Sequence, residues 1–183
     1  MLPRPPGSPV INYKMNCKPQ LFLDCDGVLA DFDSLAEEIL GRHPHEAEDL
    51  LTTPVFWQRL RGHGSFYRDL PLLPQGRILF AAVQHLHPII LTGCPEGNWA
   101  EAQKVAWAAE HFPGTKIITC PSKDKRLHMT APGDILVDDY HKYKHLWEAA
   151  GGIFVLYRKA DQALTELEAL GLEIRRPSLI SQP

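Results

Sequence analysis

Residues 20–32 read QLFLDCDGVLADF, and this short segment is the strongest indication of the fold in the chain. A brief apolar run that ends in acidic residues and a glycine is typical of a buried strand that stops at a tight turn. We therefore predict a β-strand over Gln20–Asp24. The carboxylates of Asp24 and Asp26 then lie at its carboxyl end.

Further along the chain, short apolar runs with this character alternate with helical patterns. Strands that are apolar on both faces and separated by helices are typical of a parallel sheet covered on both sides. The sequence thus predicts a doubly wound α/β domain, in which ligands bind beyond the carboxyl ends of the strands. The other predicted strands are Pro88–Thr92, Lys116–Thr119, Asp134–Asp138 and Ile153–Leu156.

The clearest helix is predicted over Asn98–Phe112, where Pro113 and Gly114 end it. Apolar residues recur there at helical spacing, namely Trp99, Ala102, Val105, Ala106 and Ala109. The same reasoning predicts three more helices, over Gln75–His87, Lys142–Ala149 and Asp161–Leu170.

Residues 33–73 contain helical pieces but no convincing strand, so we interpret them as a small helical cap inserted after the first strand. The core then comprises residues 17–32 and 74–174. Residues 1–16 are rich in proline and are predicted to be a flexible tail, with Met15 as an alternative start of translation. Residues 175–183 are predicted to be a second tail.

Composition narrows the classes of function. The chain has 183 residues, 44% hydrophobic and 22% charged, which is ordinary for one globular domain. A formal net charge of −3 and the lack of a Lys/Arg-rich run argue against binding to a nucleic acid polymer.

The four cysteines show no metal-binding spacing, and no stretch approaches the roughly 18 apolar residues of a membrane span. We expect a cytoplasmic protein with reduced thiols and no membrane partner.

Acidic pairs follow two of the predicted strands. Asp24 and Asp26 end the first, and Asp138 and Asp139 end the fourth, so we expect their carboxylates to converge at one edge of the sheet. Crowded like charges cost energy unless a cation or a catalytic role compensates. Carboxylate oxygens suit Mg²⁺, and a carboxylate can act as a nucleophile in phosphoryl transfer.

Two further segments complete the predicted site. The second strand ends in Thr92 and Gly93, which offer a hydroxyl and backbone amides to a phosphate oxygen. After the third strand, Lys123, Lys125 and Arg126 supply cations for the nucleophile and the phosphate.

The order of these segments resembles the haloacid dehalogenase (HAD) superfamily of phosphohydrolases. The resemblance covers residues 21–156 and rests on Asp-x-Asp-Gly-Val, a strand ending in Thr, a lysine, and Gly-Asp-Ile-Leu-Val-Asp-Asp. It implies a magnesium ion bound by Asp24, Asp138 and the backbone carbonyl of Asp26. It also implies that Asp24 is the nucleophile and that Asp26 is the general acid and base. Thr92 is implied as a phosphate ligand, and Asp139 as support for the metal ligand. The motif lysine is implied to be Lys125, with Lys123 as the alternative.

A finer resemblance is to the 5'(3')-deoxyribonucleotidase branch of that superfamily. It implies that Phe32 and Phe66 line a base pocket, and that Thr92, Gly93 and Lys125 contact the substrate. Two features depart from the branch: Gly93 stands where it has serine, and the cap is shorter.

We therefore expect a magnesium-dependent phosphomonoester hydrolase that forms an aspartyl-phosphate on Asp24 and acts on nucleoside monophosphates. One alternative substrate is another small phosphorylated metabolite, such as a sugar phosphate. Another alternative is a non-catalytic module that binds phosphate or nucleotide, and transfer to an alcohol instead of water also stays open. The sequence leaves the oligomeric state undetermined.

Overall fold

The structure is a computed structural model that describes residues 18–176. Five parallel strands form one sheet in the order β3-β2-β1-β4-β5. All five strands predicted from the sequence are present, and their ends differ from the prediction by at most one residue. The predicted α/β fold class is confirmed. The strands are β1 Leu21–Leu23, β2 Ile89–Gly93, β3 Ile117–Cys120, β4 Ile135–Asp138 and β5 Ile153–Leu156.

Helices cover both faces of the sheet because alternate residues of each strand point to opposite sides. On one face, Leu21 and Leu23 belong to the larger core. On the other face, Phe22 packs edge-on against Trp147 in a smaller core. The helices are α1 Phe32–Leu40, α2 Pro44–Leu50, α3 Thr53–Gly62, α4 Pro74–Val83, α5 Glu101–His111, α6 Lys144–Ala149 and α7 Ala160–Ala169, with 3-10 segments at Gln84–Leu86, Ser122–His128 and His141–Tyr143.

The segment predicted as a cap contains α1, α2 and α3. Asp31 caps the start of α1, because its carboxylate accepts a hydrogen bond from the Ser34 amide at 3.1 Å. The two ends of the segment are tied together: the Asp31 amide donates to the Pro71 carbonyl, and the Leu73 amide donates to the Leu29 carbonyl, each at 2.8 Å. The insertion therefore starts and ends beside the turn that follows β1.

Helix α5 starts later than predicted. It begins at Glu101, because Gly97 and Asn98 adopt positive φ angles of 103° and 55° that a right-handed helix does not contain. The buried side of the helix carries Ala100, Lys104, Trp107 and Ala108. Val105, one of the apolar residues at helical spacing, is 45% exposed.

The predicted N-terminal tail, residues 1–16 with Met15, lies outside the described residues, as do residues 177–183. Arg175 and Arg176, which begin the predicted C-terminal tail, contact the domain. The Arg175 amide donates to Ala82 at 3.0 Å, and Arg176 forms ion pairs with Asp161 and Glu168. Within residues 18–176, no helix combines the length and the hydrophobicity that crossing a bilayer requires.

Candidate active site

Three carboxylates meet at the carboxyl ends of β1 and β4. Asp24 directly follows β1 and Asp138 ends β4, and both are buried. The Asp24 amide donates to the Val137 carbonyl at 2.9 Å, which fixes the two strand ends side by side. Oxygens of Asp24, Asp138 and Asp139 lie within 4.8 Å of one another. We call these three residues the acidic cluster.

Lys125 is the lysine that reaches the acidic cluster. Its Nζ lies 3.0 Å from Asp24 Oδ1 and 2.7 Å from Asp138 Oδ2, and the residue is buried. Lys123 is exposed at the rim. A small pocket of about 40 Å³ opens beside Asp24, and Ser122, Lys123, Lys125 and Asp138 are among the residues that line it.

The acidic cluster carries more negative charge than one lysine neutralises. Burial and the neighbouring Asp24 raise the pKa of Asp138 to about 6, although Lys125 opposes this. Burial, Asp24 and Asp138 raise the pKa of Asp139 to about 8. Burial lowers the pKa of Lys125, but the attraction of Asp24 and Asp138 outweighs it, so that pKa lies above its ordinary value. A further cation would therefore be stabilised here.

The donor set fits magnesium. Carboxylate oxygens are the ligands that Mg²⁺ takes in proteins. Asp139 joins the cluster because Gly27 has no side chain: a Cβ on Gly27 would lie 2.2 Å from Asp139 Oδ2. Asp26, also predicted as a metal ligand, turns its carboxylate away toward Lys104. Only its backbone carbonyl then corresponds to the predicted ligand, and that assignment stays a prediction.

Asp134 shows what a purely structural acid looks like in this chain. It is buried, and its carboxylate accepts hydrogen bonds from the amides of Gln20, Thr130 and Ala131 at 2.9, 2.7 and 3.1 Å. Donors of this kind satisfy both of its oxygens. In the acidic cluster, the Cys25 amide donates to Asp24 Oδ1 and the Tyr140 amide donates to Asp138 Oδ1, each at 2.8 Å, and Lys125 is the side chain that contacts both acids.

A second group of polar side chains lies toward β2. Asp26 follows β1, and Thr92 lies within β2. The Nζ of Lys104, on α5, lies 2.5 Å from Asp26 Oδ2 and 2.9 Å from Thr92 Oγ1. Burial raises the pKa of Asp26, although Lys104 opposes this. Sequence reasoning missed Lys104, and the signal that could have found it is the spacing of Ala100, Lys104, Trp107 and Ala108 on one helical face.

Gly93 allows β2 to approach the Ser122–His128 segment. A Cβ on Gly93 would lie 2.0 Å from Ser122 Oγ. The next residue continues the contact, because the Cys94 amide donates to the Cys120 carbonyl at 2.8 Å. The absence of a side chain at Gly93 thus leaves room for the Ser122 hydroxyl beside the end of β2.

Phe32 and Phe66, the two residues predicted to line a base pocket, belong to one aromatic cluster. Their rings meet edge to face with centroids 5.2 Å apart. Phe32 is half-buried and also approaches Trp57, whereas Phe66 has no exposed surface. Of the pair, only Phe32 presents surface to a ligand in this structure, and the base pocket stays a prediction.

Comparisons with known proteins bear on the fold. No family model matches the chain, and no curated protein matches it. Its structure is similar to the crystal structure of a hydrolase from Streptococcus pneumoniae TIGR4, with a TM-score of 0.52 and 12% sequence identity over 81% of this chain and 97% of that one. At this identity the likeness concerns the fold alone. The chain thus shares with that hydrolase an α/β fold, and it carries at the carboxyl edge of its sheet an acidic cluster held by a buried lysine.

Proposed function

We propose that the protein is a magnesium-dependent phosphomonoester hydrolase of the HAD type that transfers the phosphoryl group to Asp24. The observation that carries the proposal is the contact of the Asp24 carboxylate with Lys125, beside Asp138 and Asp139. A nucleophile next to a lysine and further carboxylates suits an anionic substrate that arrives with a cation. The hydrolase with a similar fold supports the hydrolytic class.

In the first step, an oxygen of Asp24 forms a bond to phosphorus while the bond from phosphorus to the ester oxygen breaks. Asp26 gives its proton to the departing alkoxide. Burial raises the pKa of Asp26, which favours the protonated form that this step needs. Lys125 offsets negative charge at the phosphoryl oxygens, and the Thr92 hydroxyl donates a hydrogen bond to one of them.

In the second step, the Asp26 carboxylate accepts a proton from water. The water oxygen forms a bond to phosphorus while the bond to Asp24 breaks, which releases phosphate and restores the free carboxylate. Asp26 thus acts first as an acid and then as a base, and each turnover returns both residues to their starting states.

Asp24 and Asp138, with Asp139 beside them, would hold Mg²⁺ at the acidic cluster. When bound, the ion supplies charge neutralisation to the phosphoryl oxygens, the role that magnesium has in phosphoryl transfer generally.

We propose a nucleoside monophosphate as the substrate. Phe32, half-buried at the start of α1, offers an aromatic ring to a base. The buried position of Phe66 favours the second candidate, a small phosphorylated metabolite without a base, such as a sugar phosphate.

The test is phosphate release from a panel of nucleoside monophosphates, sugar phosphates and an aryl phosphate, with Mg²⁺ or with a chelator. We expect turnover by the wild type that requires Mg²⁺ and disappears in Asp24→Asn. The control is Asp49→Asn, an exposed change on α2, which should match the wild type. Activity in Asp24→Asn equal to that of the wild type would refute the proposed nucleophile. Tight nucleotide binding without turnover would instead support a binding module.

A further inference from the structure

Lys104 is a buried lysine that the proposed steps do not use. It is 1% exposed, and its Nζ contacts Asp26 Oδ2 at 2.5 Å and Thr92 Oγ1 at 2.9 Å. The same nitrogen lies 4.2 Å from the centroid of the Tyr67 ring. Its position on α5 is flanked by Ala100, Trp107 and Ala108, which face the core.

Packing alone does not account for a charge at this position. Removing an ammonium group from water is costly unless a partner compensates, and an apolar side chain of similar length would fill the same space without that cost. The charge of Lys104 is matched by one carboxylate, that of Asp26. The pair therefore joins α5 to the turn after β1 by an interaction that depends on both members.

The three contacts of Nζ also exclude a direct role at the phosphate. An ammonium group has three N–H donors and no acceptor. One donor is used by Asp26, one by Thr92, and the Tyr67 ring takes up the remaining side of the nitrogen. Lys104 must then act through its neighbours.

We propose that Lys104 is a positioning residue that fixes the Asp26 carboxylate and the Thr92 hydroxyl in one geometry for proton transfer. The inference rests on the proposed function. Asp26 Oδ1 is buried and has no hydrogen-bond partner among the described residues, so Lys104 is the described group that orients this carboxylate. Thr92 comes from β2 and Asp26 from the turn after β1, and Lys104 connects them.

The two chemical steps depend differently on this geometry. An aryl phosphate has a good leaving group that needs no proton, so the transfer to Asp24 proceeds without Asp26. Hydrolysis of the aspartyl-phosphate still needs Asp26 to accept a proton from water. Loss of the positioning contact should therefore slow the second step more than the first, and the phosphorylated enzyme should accumulate.

The experiment is stopped-flow kinetics with 4-nitrophenyl phosphate and Mg²⁺ for the wild type, Lys104→Met and Asp26→Asn. We expect Lys104→Met to release about one equivalent of nitrophenol in a fast burst, followed by turnover roughly 10- to 100-fold slower than that of the wild type, because a misplaced base costs less than the roughly 10²- to 10⁴-fold of a lost one. Asp26→Asn should show the same pattern. Lys144→Met, a change of a lysine on α6 whose side chain is 45% exposed, is the matched control and should behave as the wild type.

The double variant Lys104→Met/Asp26→Asn removes both buried charges, so it tests the inference even if Lys104→Met alone does not fold. Because both residues serve one proton transfer, its turnover should equal that of Asp26→Asn. A further loss of about tenfold or more would overturn the inference, and so would a Lys104→Met enzyme with burst and turnover like the wild type. In both cases the proposed function would stand. A wild type without any turnover would instead refute the proposed function, and the inference with it.

Discussion

Lys125 and Lys104 are both buried beside the same site, but they face different surroundings. Lys125 meets an acidic cluster of three carboxylates, whereas Lys104 meets one carboxylate and one hydroxyl. The first lysine leaves negative charge unbalanced, which is the condition for binding a further cation. The charge of Lys104 is balanced by the single carboxylate of Asp26, and such a pair suits a fixed geometry. In the proposed mechanism, this difference separates a region that would bind phosphate and metal from a region that would transfer protons.

The largest expected effect is on catalysis at Lys125. We expect Lys125→Met to lower kcat/KM for the preferred phosphate by roughly 10³-fold, about 4 kcal/mol, because Nζ lies next to the nucleophile. Lys123→Met should change it by no more than about threefold, since that side chain is exposed. Steady-state kinetics of the two variants measure this. A larger loss in Lys123→Met than in Lys125→Met would reverse the assignment of the motif lysine.

The second-largest expected effect is on stability, and it concerns which face of α5 is buried together with Lys104. Ala108 is 1% exposed and Val105 is 45% exposed, so the two positions point in different directions. We expect Ala108→Asp to lower the free energy of unfolding by about 3 kcal/mol or more, because it buries an unpaired carboxylate. Val105→Asp should change it by at most about 0.5 kcal/mol. Urea denaturation provides both values, and equal losses would contradict the observed face.

The smallest effect concerns Mg²⁺ and stability. In Lys125→Met the acidic cluster loses its cation, so Mg²⁺ should raise the free energy of unfolding of this variant by about 1–2 kcal/mol more than that of the wild type. Lys104→Met should gain no more than the wild type does, because Asp26 alone offers a poor magnesium site. Urea denaturation with Mg²⁺ and with a chelator compares the three proteins. An equal gain for both lysine variants would remove the distinction between the two regions.

Much of the fold could be predicted because its determinants are local. Each strand is a short apolar run, and the acids at the ends of β1 and β4 mark the edge of the sheet where ligands bind. Asp24 and Asp138 could therefore be placed together before their contacts were known.

The sequence left Lys123 as an alternative to Lys125 and did not indicate Lys104, for two physical reasons. In the 3-10 segment Ser122–His128, residues three apart share a side, so Lys125 turns inward to Asp24 while Lys123, two residues earlier, stays exposed at the rim of the pocket. This arrangement of side chains can be predicted only once the segment is known to be a 3-10 helix. Lys104 was missed because the apolar side chains of α5 indicate a face that includes Val105, whereas the fold buries Trp107 and pairs Lys104 with Asp26.

The proposed aspartyl-phosphate on Asp24 can be trapped by acid quenching of the enzyme during turnover of its preferred phosphate, followed by mass spectrometry of its peptides. Lys104→Met should serve as a second sample, since it is expected to accumulate the intermediate. We predict one added phosphoryl group on the peptide that contains Asp24, and its absence after substitution of Asp24 by Asn. Turnover with no phosphoryl group on that peptide in either protein, or with the group on another residue, would contradict it.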